Sequence, residues 1–488
     1  MRTAASLLPP VALDTREKGR GAPLYRQLTD WFRQAILDGR LKGGQRVPST
    51  RGLAKELGIS RIPVLSAYEQ LLAEGYLESS VGAGTRVVRS LPKGKASPAR
   101  ASVLGSARRK VAKRVDMARL PEPMWLRNQG AFRVGLAALE DFPTALWTRL
   151  VARHARKTST AAMVYGDATG LLPFREAIAE YLGTFRGVRC DASQVMVTTG
   201  SQQGLQFVAQ ALVDPGDRVW LEDPGYPGAR QAFALAGAHL TPVRVDEEGL
   251  DVEQGMRRAG EARLAYITPS HQFPLGGTLS AARRMALTEW AGRRGSWIVE
   301  DDYDSEYRFG GRPLAALQGA DPHGRVIYLG SFSKVMFPAL RLGYVILPRD
   351  LVPAFSVIRE ASDTFPATLH QSVMTEFIRE GHFARHLRRT RQTYRERHAA
   401  LVAAIQEMLP SRFEMVGSDT GMHLTLLLPE GIDDVVLTRR AAEAGISVRP
   451  LSICYLKQPE RGGLILGYGG ATPEQIREGV GILKRLLA

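Results

Sequence analysis

Lys334 lies in the run Gly330-Ser331-Phe332-Ser333-Lys334-Val335-Met336-Phe337-Pro338-Ala339-Leu340-Arg341, a single amine among apolar and small residues. Such a setting desolvates a lysine, lowers its pKa and frees the amine to attack an aldehyde. Ser331 and Ser333 precede it and Arg341 follows. A guanidinium suits a phosphate dianion, because its planar fork donates two hydrogen bonds. A nucleophilic amine beside a phosphate clamp suggests pyridoxal 5'-phosphate (PLP). An ordinary loop with a solvated lysine and arginine would read the same over this stretch alone, so the decision rests on what else the chain supplies.

Three polar clusters each follow an apolar, strand-like run. Thr199-Gly200-Ser201-Gln202-Gln203-Gly204 opens a helix after a strand, and a glycine-rich turn into a helix presents free amides to an anion. Glu222-Asp223-Pro224-Gly225-Tyr226-Pro227-Gly228 fixes a tight loop around Tyr226, an aromatic that either stacks on a flat ring or packs the loop. Glu300-Asp301-Asp302-Tyr303-Asp304-Ser305-Glu306-Tyr307 ends an apolar strand. A carboxylate there could keep a pyridine nitrogen protonated, and Tyr303 could bond a ring oxygen. Acid clusters at strand ends also bind metals, but no histidine or cysteine stands nearby in the sequence, and no metal site is expected.

The elements that must position these groups alternate. Strand-like runs at 194–199, 218–221, 264–267, 297–300, 326–329 and 343–347 are separated by amphipathic helices. That pattern predicts an α/β fold with a mostly parallel sheet over residues 131–488, and ligands in such sheets sit at the carboxyl ends of the strands, where the polar clusters fall.

The N-terminal quarter has another character. Residues 1–130 hold 24 Lys and Arg against 10 Asp and Glu, whereas the rest of the chain is nearly balanced, so almost all of the net charge of +16 sits here. A polyanionic partner is the natural match; a solvated basic tail is the alternative that charge alone leaves open. Leu24, Leu28, Trp31, Ala35 and Ile36 follow helical spacing up to Gly39. Ser49 can cap a second helix that Gly58 stops, and Ser60 a third that runs to about Glu74. A hairpin with a glycine tip follows at 76–88. Two short helices and a hairpin make a winged helix-turn-helix, whose second motif helix enters the major groove with its N-terminal end. Arg61 stands at that end and Arg51 starts the helix before it. Ser49, Ser60 and the amides around Gly82 and Gly84 suit phosphate contacts. Residues 91–114 carry eight Lys and Arg and no acid among Pro, Gly, Ser and Ala, which predicts a flexible basic linker.

The run PLYRQLTDWFRQAILDGRLKGGQRVPSTRGLAKELGISR resembles the GntR family of regulators, with Pro63 where that family usually has a threonine. The resemblance implies that Arg51, Arg61 and the Gly82–Gly84 tip touch double-stranded DNA. Residues 131–488 are similar to fold-type I PLP enzymes of the aspartate aminotransferase class. That similarity implies Lys334 as the Schiff-base lysine, Asp301 on the pyridine nitrogen, Tyr303 on the ring oxygen and Tyr226 stacked on the ring. Ser201, Gln202, Ser331, Ser333 and Arg341 would hold the phosphate, joined by Tyr165 from a neighbouring subunit. The two halves together, with PSHQFPLG and EDDYDSEYR, resemble the MocR subfamily. The expected domains are a winged helix-turn-helix at 21–90, a linker at 91–130 and an aminotransferase-like domain at 131–488. The expected protein is a head-to-tail homodimer that binds paired operator half-sites and responds to PLP or a PLP–amine adduct. The implied targets are vitamin B6 synthesis or amine and amino-acid metabolism, and a transaminase carrying a DNA-binding module is the alternative.

Two departures argue against ordinary transamination. Phe273 stands where such enzymes often have an asparagine, and Gly463-Leu464-Ile465-Leu466-Gly467-Tyr468 lacks their carboxylate-binding arginine. The missing arginine favours a PdxR-like sensor of PLP itself, with Arg449 an unplaced substitute. The absence of a long apolar run, the lack of a signal-peptide core around Leu7-Leu8-Pro9-Pro10 and the distant pair Cys190 and Cys454 point to a reducing, cytoplasmic setting without membrane contact.

Overall fold

Side-chain chemistry visible in the sequence sets the helix ends of the N-terminal module in the computed structural model, which describes residues 8–9, 11, 13, 22–80, 84–89, 112–120, 130–157, 159–309, 314–417 and 420–487. The chain divides into two compact units, Met1–Lys110 and Val111–Ala488. In the first, helices α1 (Leu24–Leu37), α2 (Thr50–Leu57) and α3 (Arg61–Ala73) precede strands β1 (Leu77–Ser80) and β2 (Gly84–Val87). The Ser49 hydroxyl accepts the Gly52 amide at 3.1 Å, answering one of the unpaired donors at the start of α2. Gly58 ends α2 in the left-handed conformation, φ 66°, which favours glycine. Ser60 occupies the same position before α3, but its side chain makes no capping bond, which corrects the expected cap.

The apolar faces of the three helices close on one core with Leu77 and Val87 of the hairpin. Phe32 is at its centre, edge-on to Tyr68 at 5.5 Å, and the Tyr68 hydroxyl donates to the Pro48 carbonyl at 3.0 Å. β1 and β2 pair antiparallel from Leu77↔Val87 to Ser80↔Gly84. The expected tip residue Gly82 lies outside the described residues, as do 90–111 and 121–129 of the expected linker region. Residues 112–120 are not featureless: they carry the short helix α4 (Lys113–Met117) and belong to the second unit.

The second unit is built on an eight-stranded sheet of β3 (Val195–Thr198), β4 (Arg218–Asp223), β5 (His239–Asp246), β6 (Gly249–Leu250), β7 (Leu264–Ile267), β8 (Trp297–Asp302), β9 (Val326–Ser331) and β10 (Gly343–Ile346), in the order β3-β10-β9-β8-β7-β4-β5-β6. β9, β8, β7, β4 and β5 run parallel, while β10 is antiparallel to both its neighbours and β6 turns back at the edge. Every residue of β3, β7, β8 and β10 is buried, as a sheet covered by helices on both faces requires. After the helix His382–Met408, strands β11 (Glu414–Val416), β12 (His423–Leu427), β13 (Arg449–Pro450) and β14 (Gly463–Gly467) form an antiparallel sheet in the order β11-β12-β14-β13. No helix among the described residues is long and apolar enough to cross a membrane.

Phe32→Ala tests the independence of the small module. It removes a fully buried ring and should cost about 3 to 5 kcal/mol of that module's stability. DNA binding should be lost in a gel-shift assay, while PLP uptake by the second unit, read from visible absorption, should persist.

Candidate cofactor site

Glu300, Asp301 and Asp302 are consecutive and buried at the carboxyl end of β8. The two-residue period of a strand sends Glu300 and Asp302 to one face and Asp301 to the other. Glu300 accepts the Leu317 and Gln318 amides at 2.8 and 2.9 Å. Asp302 is paired with Arg186 at 2.7 Å and accepts the Tyr328 hydroxyl at 2.6 Å. Asp301 receives only the Tyr266 hydroxyl, at 2.8 Å on Oδ2, and its Oδ1 is buried without a partner. Burial pushes the Asp301 carboxyl up to about 7, with Asp302 and Asp304 adding to the rise and Tyr266 and Lys334 opposing it. A protonated ring nitrogen placed against Oδ1 would answer the orphan atom and draw the proton equilibrium back.

Asp301 belongs to the lining of a cavity of about 830 Å3, together with Ser201, Gln202, Tyr226, Tyr303 and Lys334. Lys334 sits on the turn after β9 and donates to the Gly135 carbonyl at 3.3 Å. A Cβ on Gly135, which sits at φ 76°, would meet the lysine amine and force it to shift. Burial lowers the Lys334 pKa and Arg449 lowers it further, against the pull of Asp304 and Asp301. Gly200 opens the helix Ser201–Leu212, and the Arg341 guanidinium lies alongside Gly200. Arg341 itself is left-handed, φ 50°, a strained conformation for a residue with a Cβ. The Ser333 hydroxyl is buried without a partner, and Ser331 accepts the Ser333 amide at 3.1 Å. Gln202 ties the helix start to the Gly228 carbonyl at 2.9 Å. Ser331, Ser333 and Arg341 stand beside the cavity rather than among its lining residues, and Tyr165, 85% exposed, is outside it.

These residues fit PLP on their own chemistry: a buried amine, an orphan carboxylate oxygen, a helix start with a guanidinium beside it and, next to the lysine in the chain, a buried hydroxyl without a partner. When bound, the cofactor would supply an aldehyde that condenses with an amine, with loss of water, and a ring that accepts electron density.

The structure adds groups that sequence reasoning did not join to the site. His271 Nδ1 is 3.0 Å from both Asp304 oxygens and 3.0 Å from the Tyr303 hydroxyl. His271, Asp304 and His423 bring ligand-type atoms within 4.8 Å of one another, which corrects the expectation that no histidine stands near the acid cluster. The only signal for His271 was its place in PSHQFPLG; His423 had none. Arg449 pairs opposite Ile465 of β14 and lines the cavity, 5.6 Å from the Phe273 ring. The strand paired with 463–467 thus places an arginine in the cavity lining that 463–468 itself lacks. Val115, Ala118, Arg119 and Leu120 line the cavity as well, and Gln231 donates to the Ala118 carbonyl at 3.1 Å.

In the N-terminal unit, Arg51 and Arg61 are exposed at the starts of α2 and α3, and Arg61 donates to the Thr50 hydroxyl at 3.2 Å. Ile62 and Leu65 are exposed on the same helix, and Arg46 lies against Gly84. Ser49 is already engaged as a cap, whereas Ser60 is exposed.

Residues 24–87 match the bacterial regulatory proteins of the gntR family, and residues 139–483 match aminotransferase class I and II. The probable rhizopine catabolism regulatory protein MocR of Rhizobium meliloti is 40% identical over 96% of this chain and 94% of its own length. This chain belongs to the MocR-type gntR regulators. The pyridoxine biosynthesis transcriptional regulator PdxR of Corynebacterium glutamicum is 30% identical over 96% of each chain. Among solved structures, the α-aminoadipate aminotransferase LysN of Thermus thermophilus, complexed with N-(5'-phosphopyridoxyl)-L-leucine, superposes with a TM-score of 0.72 at 31% identity, covering 77% of this chain and 97% of that one.

As a MocR-type regulator, the protein joins a DNA-binding module to an aminotransferase-like domain of a PLP-dependent family. Its lysine should behave as the cavity dictates. PLP capture, followed by absorbance in stopped flow, should accelerate with pH and level off below the pKa of a free lysine. Arg449→Gln removes a cation that disfavours the ammonium, so the levelling should move to higher pH; Lys334→Ala should show no capture.

Proposed function

We propose that this protein is a ligand-responsive transcriptional regulator in which Lys334 carries PLP and occupancy of the cavity changes how the DNA-binding module engages an operator. One observation carries the reading: the chain arriving from the DNA-binding module lines, at Val115, Ala118, Arg119 and Leu120, the same cavity that holds Lys334. A ligand in that cavity has a direct purchase on the end of the tether, and a ligand shifts an equilibrium only through contacts that differ between two states.

In this reading Asp301 takes the ring N–H, Tyr303 meets the ring oxygen and Tyr226 stacks. Ser201, Gln202, Ser331, Ser333 and Arg341 hold the phosphate. Tyr165 reaches the phosphate of a second subunit in a head-to-tail homodimer, which the exposed apolar run Met163, Val164 and Tyr165 supports. Arg119, Arg133 and Arg449 add positive charge to the cavity lining. That charge favours a PLP–amine adduct with an anionic group over PLP alone, and it removes the reason for preferring a PdxR-like sensor. The regulated pathway is then amine or amino-acid metabolism rather than vitamin B6 synthesis, in the cytoplasm. On DNA, Arg61 meets base edges, and Arg51, Ser49, Ser60 and the Gly82–Gly84 tip contact the backbone of paired half-sites.

The test is binding to the DNA upstream of the protein's own gene, at fixed salt, with and without PLP. PLP should change the affinity or footprint of the wild type and leave Lys334→Ala unmoved. Absence of specific binding at any genomic site, with steady turnover of an amino donor and a keto acid, would make the protein a transaminase instead. Arg61→Ala should weaken specific binding by about 1 to 3 kcal/mol and leave non-specific binding nearly intact, as competition with unrelated DNA would show.

A further inference from the structure

The His271 ring nitrogen faces two partners with opposite demands. Nδ1 is 3.0 Å from both oxygens of Asp304 and 3.0 Å from the Tyr303 hydroxyl, and His271 and Asp304 are both buried. An ionised carboxylate only accepts, so Asp304 requires a proton on Nδ1. A protonated Nδ1 cannot accept from Tyr303. The Tyr303 hydrogen is then released from His271 and is left to the cavity that Tyr303 lines.

We propose that Asp304 and His271 form a positioning dyad that fixes the His271 tautomer and thereby sets the Tyr303 hydroxyl as a hydrogen-bond donor into the cavity, toward the ring oxygen of bound PLP. The inference rests on Lys334 and Tyr303 being cofactor residues. It divides the labour around β8: Tyr266 supports Asp301, and the dyad supports Tyr303.

The surroundings are built around the pair. Gly421 packs against it with φ 80°, and a Cβ there would collide with His271 Cε1 and Asp304 Oδ2. The Tyr468 hydroxyl pins that turn by donating to the Gly421 carbonyl at 2.8 Å. The His423 ring closes the other side, 5.0 Å from His271, with Nε2 donating to the Pro274 carbonyl at 3.3 Å. Burial, then His271, holds the His423 pKa well below its ordinary value, so His423 is neutral. A cation bridging Asp304 and His271 would need the Nδ1 lone pair that the dyad uses for its proton. The other titratable groups facing this corner are Asp301 and Asp302 of β8, Glu222 of β4 and Tyr266 of β7. Lys334 on the turn after β9 and Arg449 of β13 supply its positive charge.

The test is a pH titration of the visible absorption of bound PLP in the full-length protein. Donation from Tyr303 stabilises the ionised ring oxygen, so Tyr303→Phe should raise the pH of the spectral change by about one unit, the scale of one hydrogen bond to a charged group. Asp304→Asn should raise it in the same direction. An amide in place of the carboxylate of a His–Asp pair lets the ring take the other tautomer, and bare Nδ1 then captures the Tyr303 proton. Loss of the Asp304 anion by itself would disfavour protonation and lower that pH, so a rise reports the lost donation. His271→Phe combined with Asp304→Asn removes the captor and should return the value toward wild type, where a purely structural role would make the double variant worse. A fall or no change in Asp304→Asn, a double variant no better than the single, or stoichiometric zinc bound at His271 and Asp304 of the PLP-loaded protein would overturn the dyad. A wild type without any visible absorption would overturn the cofactor reading beneath it.

Discussion

Three adjacent carboxylates buried at the end of one strand are the constraint around which the large unit is arranged. Burying an ionised carboxylate without partners is prohibitive, so each of the three needs its own answer. Glu300 takes two backbone amides and Asp302 takes Arg186 and Tyr328, all on the face of β8 away from the cavity. These bonds lock β8 against its neighbours and leave Asp301 on the opposite face with one oxygen answered and one not. The alternation of the strand makes the difference: the same local sequence yields two structural anchors and one group held in readiness.

The rest of the site follows from placing opposite charges in the same low-dielectric space. Lys334 is disfavoured as a cation by burial and by Arg449, while Asp301 is disfavoured as an anion by burial and by Asp302 and Asp304. Each group stabilises the charge of the other, and neither is fully compensated. In the proposed reading, a protonated ring nitrogen placed against Asp301 would compensate that carboxylate. Gly135 lies directly against the lysine amine, so a side chain there would displace it from its present position.

The parts legible in the sequence were those whose partners are close in the chain. The Ser49 cap, the Gly58 stop and the apolar strand runs that end in polar clusters are local signals, and they carried the helices, the parallel core and the order of the site residues. Ser60 had the type and position of a cap without the bond, because side-chain orientation is settled by context rather than by residue type. His271 and His423 were invisible as neighbours of Asp304, because they come from opposite sides of the acid cluster in sequence, His271 from the loop after β7 and His423 from β12 of the second sheet. Arg449 could not be placed because a two-residue strand has no periodicity to read; its pairing opposite Ile465 is a tertiary fact. The 112–120 segment was hidden by composition: a basic, alanine-containing stretch looks like tether, and only its packing against the helix Pro227–Leu235 distinguishes it.

That packing is slight, and its slightness has a physical use. α4 is five residues long and none of them is buried; Ala118 just beyond it is, with its carbonyl held by Gln231. A segment with few buried contacts opens at low cost, and such segments are the ones that move when a ligand arrives. A tether docked by many apolar contacts would need a ligand with a very large preference between states, about 5.5 kcal/mol even for a complete reversal of a one-to-ninety-nine equilibrium. A tether docked by a few contacts at the mouth of the cavity needs much less. Arg119 then matters more than its exposure suggests, because it is a charged group on the tether that shares the cavity with Lys334. In the proposed reading an anionic ligand in that cavity gains a contact only while residues 112–120 are docked, and differential contact of that kind is what would convert occupancy into a change at the DNA-binding module.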